Sequence, residues 1–329
     1  MKISAPVRSI QEVEMLLHNG ADELYCGIST PEWKSFFNNK WWMNRREPTS
    51  ASFESLRNLK ETVRLAHLEN VPVHLALNAP FYPKASIPYL LTLSEKLVQQ
   101  IKVDSLIVSD LNFIMHLSSK KLPVRLHLSS LGSCFNSRTV EFYKSMGVQR
   151  IILPRQLRAS EIRELIERST TSMEFEVFAV NDGCLYEEGF CQVSHAFGPF
   201  CLENCRISIN HSRIIGASLE KITDRQEHLQ QYLWFQNNCG SSYQETGLPN
   251  GPCSLCLFGY FRDWGVHAVK IVGREASFQR KMGSLQLVKA VMDEVRKKAQ
   301  PDDIARKARL YRKTPEYCNK GYMCYFREK

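Results

Sequence analysis

Eight short apolar segments, each followed by a stretch of helical character, constrain this chain more than any other feature. The predicted strands are Lys2–Val7, Glu23–Ile28, Val71–Ala79, Ser105–Asp110, Val124–Leu131, Arg150–Arg155, Glu174–Val180 and Ala268–Arg274. Helices are predicted near Ser9–Asn19, Ser52–Glu69, Ile87–Gln100, Leu111–Ser118, Ser137–Met146, Ser160–Arg168 and Phe278–Ala299. Four joints repeat one design: GADELYCGI, KVDSLIVSD, GVQRIILPR and GVHAVKIVGR. Each is a helix exit, often marked by glycine, and then a turn into a β-branched apolar strand. Uninterrupted apolar strands separated by helices imply a parallel sheet covered on both faces. Eight such units suit a closed (β/α)8 barrel of the TIM type, in the α/β class, better than an open sheet.

A barrel does its chemistry where the strands end, at the C-terminal face. Those ends fall at Gly27, Asn78, Asp110, Ser129–Ser130, Arg155, Asn181 and Arg274. Strands must end in turn residues, so no single position means much, but the set predicts a polar mouth. Arg155 and Arg274 stand out as candidate substrate-binding residues, because fixed guanidinium forks suit a carboxylate or phosphate.

Two insertions interrupt the regular spacing. The first, Ser29–Ser50, carries three tryptophans and two phenylalanines among basic residues, and would overhang the mouth as a lid or a stacking surface. The second runs from residue 181 to about 256, between strands seven and eight, and is rich in cysteine: Cys184, Cys191, Cys201, Cys205, Cys239, Cys253 and Cys256. No secretory signal precedes strand one and no run of 18 apolar residues occurs, so a cytoplasmic protein with no membrane span and with reduced thiols is expected. Thiols clustered after a buried strand then read as a metal site. Only Cys253–Cys256 has the C-x2-C spacing of a zinc knuckle; the looser spacings favour iron–sulfur. Cys318 and Cys324 near the end of the sequence would be further ligands, for a second site, or packed thiols of a docked segment. Cys26 and Cys134 read as small core residues.

The chain has 43 basic and 34 acidic residues, a net charge of +9, which permits an anionic partner such as RNA or a carboxylated metabolite. Signatures of common hydrolases are missing: there is no H-E-x-x-H, G-x-S-x-G or Walker loop. His74 and His127 lie inside apolar strands and read as core histidines, whereas His195 follows Cys191 by four residues and is the most site-like. No residue is singled out as catalytic.

The stretch EVFAVNDGCLYEEGFCQVS resembles the signature of the collagenase-like peptidase family U32, with Glu176, Phe178, Cys184, Gly189, Cys191, Val193 and Ser194 in place. Asn181-Asp182-Gly183 departs from that pattern. ISAPV with GADELYCGI, then RIILPR, then GVHAVKIVGRE are similar to the family as well. The resemblance implies a barrel-like fold and, in several members, a [4Fe–4S] cluster on four cysteines. It further implies oxygen-independent hydroxylation of RNA or of the ubiquinone ring, with prephenate as oxygen donor. Cys184, Cys191 and Cys201 match the first three ligands. The fourth is expected from Cys256, Cys253, Cys205 or Cys239, in that order.

These readings together give an expectation. Residues 1–300 form the barrel with insertion 181–256, and residues 301–329 dock on it as a tail. The function expected is iron–sulfur-dependent hydroxylation or a related redox group transfer with a prephenate-like carboxylate donor. The alternatives are a collagenase-like peptidase, or a non-catalytic iron–sulfur or zinc protein paired with a homologous subunit.

Overall fold

The computed structural model describes residues 1–37, 41–45, 48–169, 172–181, 251–321 and 323–328, with scattered positions between 223 and 249. Eight parallel strands close into a barrel in sequence order. They are β1 (Lys2–Pro6), β2 (Glu23–Gly27), β3 (Val73–Leu77), β4 (Ser105–Val108), β5 (Arg125–Leu128), β6 (Val148–Ile152), β7 (Glu174–Val180) and β8 (Ala268–Ile271). The first and last pair directly, Ile3 beside Val269, so no sheet edge is left open. Each predicted strand is present; β7 has the predicted bounds, β6 starts two residues earlier, and all but β7 stop before the predicted ends, where the chain turns out of the ladder.

The alternation along each strand separates two environments. Leu24, Leu75, Leu77, Leu106, Val108, Leu128, Ile151, Val177, Val269 and Ile271 are fully buried. They belong to the layer between barrel and helices, and each contributes roughly 1.5–3 kcal/mol by leaving water. The helices begin where a side chain can take up an orphan amide. Asp110 accepts from Phe113 N at 2.6 Å, and Asn136 accepts from Thr139 N at 3.0 Å. The helix Ile87–Lys96 ends in a π-turn, Leu97–Ile101, and Lys102 at φ 69° closes it in the left-handed region.

Past β8, the helix Phe278–Arg296 and the helix Pro301–Arg312 pack against one another and against the short helix Phe258–Trp264. Gly259 makes that approach possible, since a Cβ there would stand 2.6 Å from the Pro301 Cα. Residues 252–254 lie beside the end of β7, with Asn181 N donating to Pro252 O and Ser254 N to Ala179 O. Residues 323–325 then lie beside 253: Cys253 N donates to Met323 O, and Tyr325 N to Cys253 O. Among the described residues no helix is long and apolar enough to cross a membrane.

Candidate functional site

The barrel interior is polar for most of its length. In the layer nearest the strand starts, Arg150 of β6 holds Glu23 of β2 with two bonds of 2.6 and 2.9 Å. The same guanidinium reaches Glu174 at 2.8 Å and Glu176 at 3.2 Å. Lys270 of β8 takes the other oxygen of Glu176 at 2.7 Å. Burial alone would raise the Glu23 carboxyl, but hydrogen bonds from Arg150 and His74 override it and hold the group far below the usual range. Glu176 is likewise pushed up by burial and brought below its ordinary value by Lys270 and Arg150.

Ser105, His74 and Glu23 have the composition of a hydrolytic triad. Ser105 Oγ lies 2.8 Å from His74 Nδ1, and His74 Nε2 lies 3.2 Å from Glu23. Ser105 is fully buried, as is His127 beside it, so this group is shut off from a peptide and acts as barrel filling. His74 and His127 are core histidines, as their place in apolar strands implied.

Above this layer a cavity of about 50 Å³ opens at the C-terminal ends of the strands. Its polar walls are Arg45, Asn78, Ser129, Arg155, Lys270 and Arg274. The two arginines singled out from their positions after strands six and eight therefore face one space. Arg155 is 6 % exposed and its guanidinium carbon sits 3.7 Å from the centroid of the Phe178 ring. Arg274 donates to Asn44 Oδ1 at 2.8 Å. Its guanidinium lies over Gly27, where a Cβ would come within 2.0 Å of Nη1. Lys270 rests 3.7 Å above the Tyr25 ring while bonded to Glu176. Buried cations held by rings and amides make a water-poor cradle that favours an anionic group. The space suits a carboxylate head better than a whole ring.

The other predicted mouth residues have structural employment. Asp110 caps the helix Leu111–Lys120 and also accepts from Tyr82 N at 2.8 Å. Asn181, at φ 71°, donates to Ser284 Oγ at 2.9 Å, and its carbonyl accepts from the Tyr325 hydroxyl. In the tryptophan loop, Trp33 is buried and packs on Phe37, Tyr82 and Tyr89, while its indole donates to Trp41 O at 2.8 Å. This loop sends Asn44 and Arg45 to the mouth. Neither was predicted, and neither was Lys270. A lysine inside an apolar strand was a signal for the latter; a non-periodic loop offered none for Arg45.

Cys184, Cys191, Cys201, Cys205 and Cys239 lie outside the described residues, as does His195. Cys253 is buried, and Cys256, Cys318 and Cys324 are half-buried; all four are free thiols. Burial pushes the Cys324 thiol up to about 12. It raises Cys253 and Cys256 as well, opposed by hydrogen bonds from Arg312 and Arg309 respectively. Cys26 and Cys134 are buried and pushed up to about 12, so they are inert core thiols. Among the described residues no group of three His, Cys, Asp or Glu stands ready to hold a metal ion.

Several known proteins are similar in sequence. The tRNA hydroxylation protein P of Haemophilus influenzae is 29% identical over 59% of this chain and 38% of its own length. The tRNA hydroxylation protein P1 of Bacillus subtilis is 24% identical over 66% of this chain and 49% of its own. A 23S rRNA 5-hydroxycytidine synthase of Escherichia coli is 24% identical over 60% of this chain and 27% of its own. The chain spans less than half the length of each of these relatives. Among solved structures, the U32 peptidase Mk0906 is similar at a TM-score of 0.44 and 12% identity, covering 68% of this chain and 84% of that one. The family model of peptidase family U32 matches residues 8–329, and the chain belongs to that family.

Proposed function

We propose that this barrel takes part in oxygen-independent hydroxylation of RNA, with a small carboxylate donor of the prephenate type bound at its mouth. The observation that carries the reading is the convergence of Arg155 and Arg274 on one buried cavity at the strand ends. Bidentate guanidinium contacts would fix the donor carboxylate, and Lys270 would lie close enough to the same group to orient it. Asn78, Ser129 and the Arg45 side chain complete a wall of donors. A net charge of +9 favours a polyanionic acceptor, and the relatives named for tRNA and rRNA hydroxylation support RNA as that acceptor. A homologous subunit as partner is compatible with this reading.

The family resemblance adds a [4Fe–4S] cluster on Cys184, Cys191 and Cys201 with a fourth thiolate from Cys256, Cys253 or Cys205, which would supply one-electron chemistry. The donor set suits it: thiols are soft ligands, and Cys253 lies beside the end of β7, on the face where the cavity opens, with Cys256 in the turn that follows.

The test is anaerobic. Purified protein would be assayed for iron and sulfide, then incubated with RNA and prephenate, and the RNA digested to nucleosides for mass spectrometry. A nucleoside gaining one oxygen, dependent on prephenate and lost in Arg274→Gln, is the expected result. Prephenate binding unchanged in both Arg155→Gln and Arg274→Gln would sink the assignment of the mouth.

A further inference from the structure

We propose that Cys253, Cys256, Cys318 and Cys324 form a four-thiolate zinc site that fastens residues 313–326 to the end of β7. This site is distinct from any ligand set drawn from residues 182–243. Two segments far apart in sequence supply two thiols each, with C-x2-C spacing in the first and C-x5-C in the second.

Backbone geometry brings them together. Residue 253 forms an antiparallel bridge with Val180 on one side and a parallel bridge with Cys324 on the other. Bridge partners project their side chains to the same face, so Cys253 and Cys324 are side-by-side neighbours. Cys256 follows in the 3-10 turn Leu255–Leu257, which curls the chain back over Cys253. The Leu255 amide donates to the Cys253 sulfur, the contact expected where a C-x2-C turn wraps a metal. Cys318 is tied in through the helix Pro301–Arg312 and the residues after it. Its sulfur is 3.8 Å from Thr314 Oγ1, which accepts from Arg312 Nε at 2.8 Å. The same guanidinium donates to Gly251 O at 2.8 Å and to the sulfur of Cys253.

Positive charge stands beside the site, with Arg312 donating to Cys253 and Arg309 to Cys256. Four thiolates around a divalent zinc leave two excess negative charges, which two guanidiniums offset. Zinc enters as the divalent ion and the four thiol protons leave to solvent. The four sulfurs do not converge on one point in this structure, and zinc binding has to draw them inward. A closed set of four protein ligands with no open position makes this a structural site, and its metal does no chemistry. It follows that Cys253 and Cys256 are taken, so the fourth ligand beside Cys184, Cys191 and Cys201 would come from Cys205 or Cys239.

The inference does not depend on the proposed activity, and its test reads metal alone. The full chain, purified without oxygen from zinc-supplied cells, would be measured for zinc, iron and sulfide, and by X-ray absorption at the zinc edge. One zinc per chain with four sulfurs at ~2.3 Å is expected. Cys318→Ser and Cys324→Ser should lose that zinc and keep their iron. Should those variants prove insoluble, titrating the wild-type protein with an organomercurial must release one zinc for every four thiols consumed. Protein free of zinc, zinc retained in both variants or after titration, or loss of iron instead of zinc would each overturn the proposal.

Discussion

Replacing Arg150 by methionine tests the buried ion network most directly. The side chain is 1 % exposed and makes four hydrogen bonds to three carboxylates. Methionine fills much of its volume but leaves Glu23 and Glu176, both 1 % exposed or less, facing one another with Lys270, His74 and the half-exposed Lys2 as remaining partners. Removing one member of a buried pair typically costs ~3–5 kcal/mol. That is a large part of the ~5–15 kcal/mol by which a domain is stable. The pH dependence carries the sign. In the wild type the Glu23 carboxyl is held far below its usual value, so its contribution is complete above the usual value and fades as the pH falls toward the depressed one. Without Arg150, burial dominates and raises the carboxyls, so folding takes up protons and acid favours the folded state. Urea unfolding of both proteins at pH 7 and pH 5.5 should show a deficit of ~3–5 kcal/mol at the higher pH that shrinks at the lower one. Adding Glu23→Gln should recover part of the loss, because the two residues share one interaction. A deficit below ~1 kcal/mol, the usual size for an exposed ion pair, or one that does not shrink on acidification, would refute the reasoning.

Further outcomes follow from the mouth, the histidines and the thiols. Arg155→Gln and Arg274→Gln should each weaken binding of a dicarboxylate by ~10-fold or more, since a charged hydrogen bond contributes ~1.5–3 kcal/mol; isothermal calorimetry reads this directly. Gly27→Ala should mimic Arg274→Gln, because its Cβ would occupy the space 2.0 Å from the guanidinium nitrogen. Unchanged affinity there would show that Arg274 has room to move without consequence. His127 is buried, and burial first and then the charge of His74 depress it well below 6.5. Its contribution to stability is therefore complete above pH 6.5 and declines below it, and His127→Gln should flatten the stability profile between pH 6.5 and 5. Under native conditions iodoacetamide should spare Cys26 and Cys134, and mass mapping should find both alkylated only after unfolding.

The barrel was legible because strands buried on both faces are written as unbroken apolar runs, and GADELYCGI or GVHAVKIVGR also marks the joint that leads into the strand. Arg155 and Arg274 were legible from place alone: a charged residue following an apolar strand must sit at the mouth of a closed barrel. The ion network was not. Glu23, Arg150, Glu176 and Lys270 are visible as charges inside strands, but Arg150 lies 127 residues from its partner Glu23, and their meeting depends on which strands face each other across the axis. Arg45 and Asn44 escaped because their loop has no period to read. The nearness of Cys253 and Cys324 likewise rests on a single backbone bridge, made by residues that share no pattern.

The pairing of residues 323–325 with residue 253 also bears on the order in which the protein can be completed during synthesis. All eight strands precede that segment in the chain, and domains fold largely as they emerge. A nascent chain can therefore close its barrel while the Asn181 carbonyl still lacks the Tyr325 hydroxyl and Phe178 still lacks the Tyr325 ring 6.0 Å away. Because Phe178 is also the ring on which Arg155 rests, the anion cradle acquires its final support only when that segment has left the ribosome.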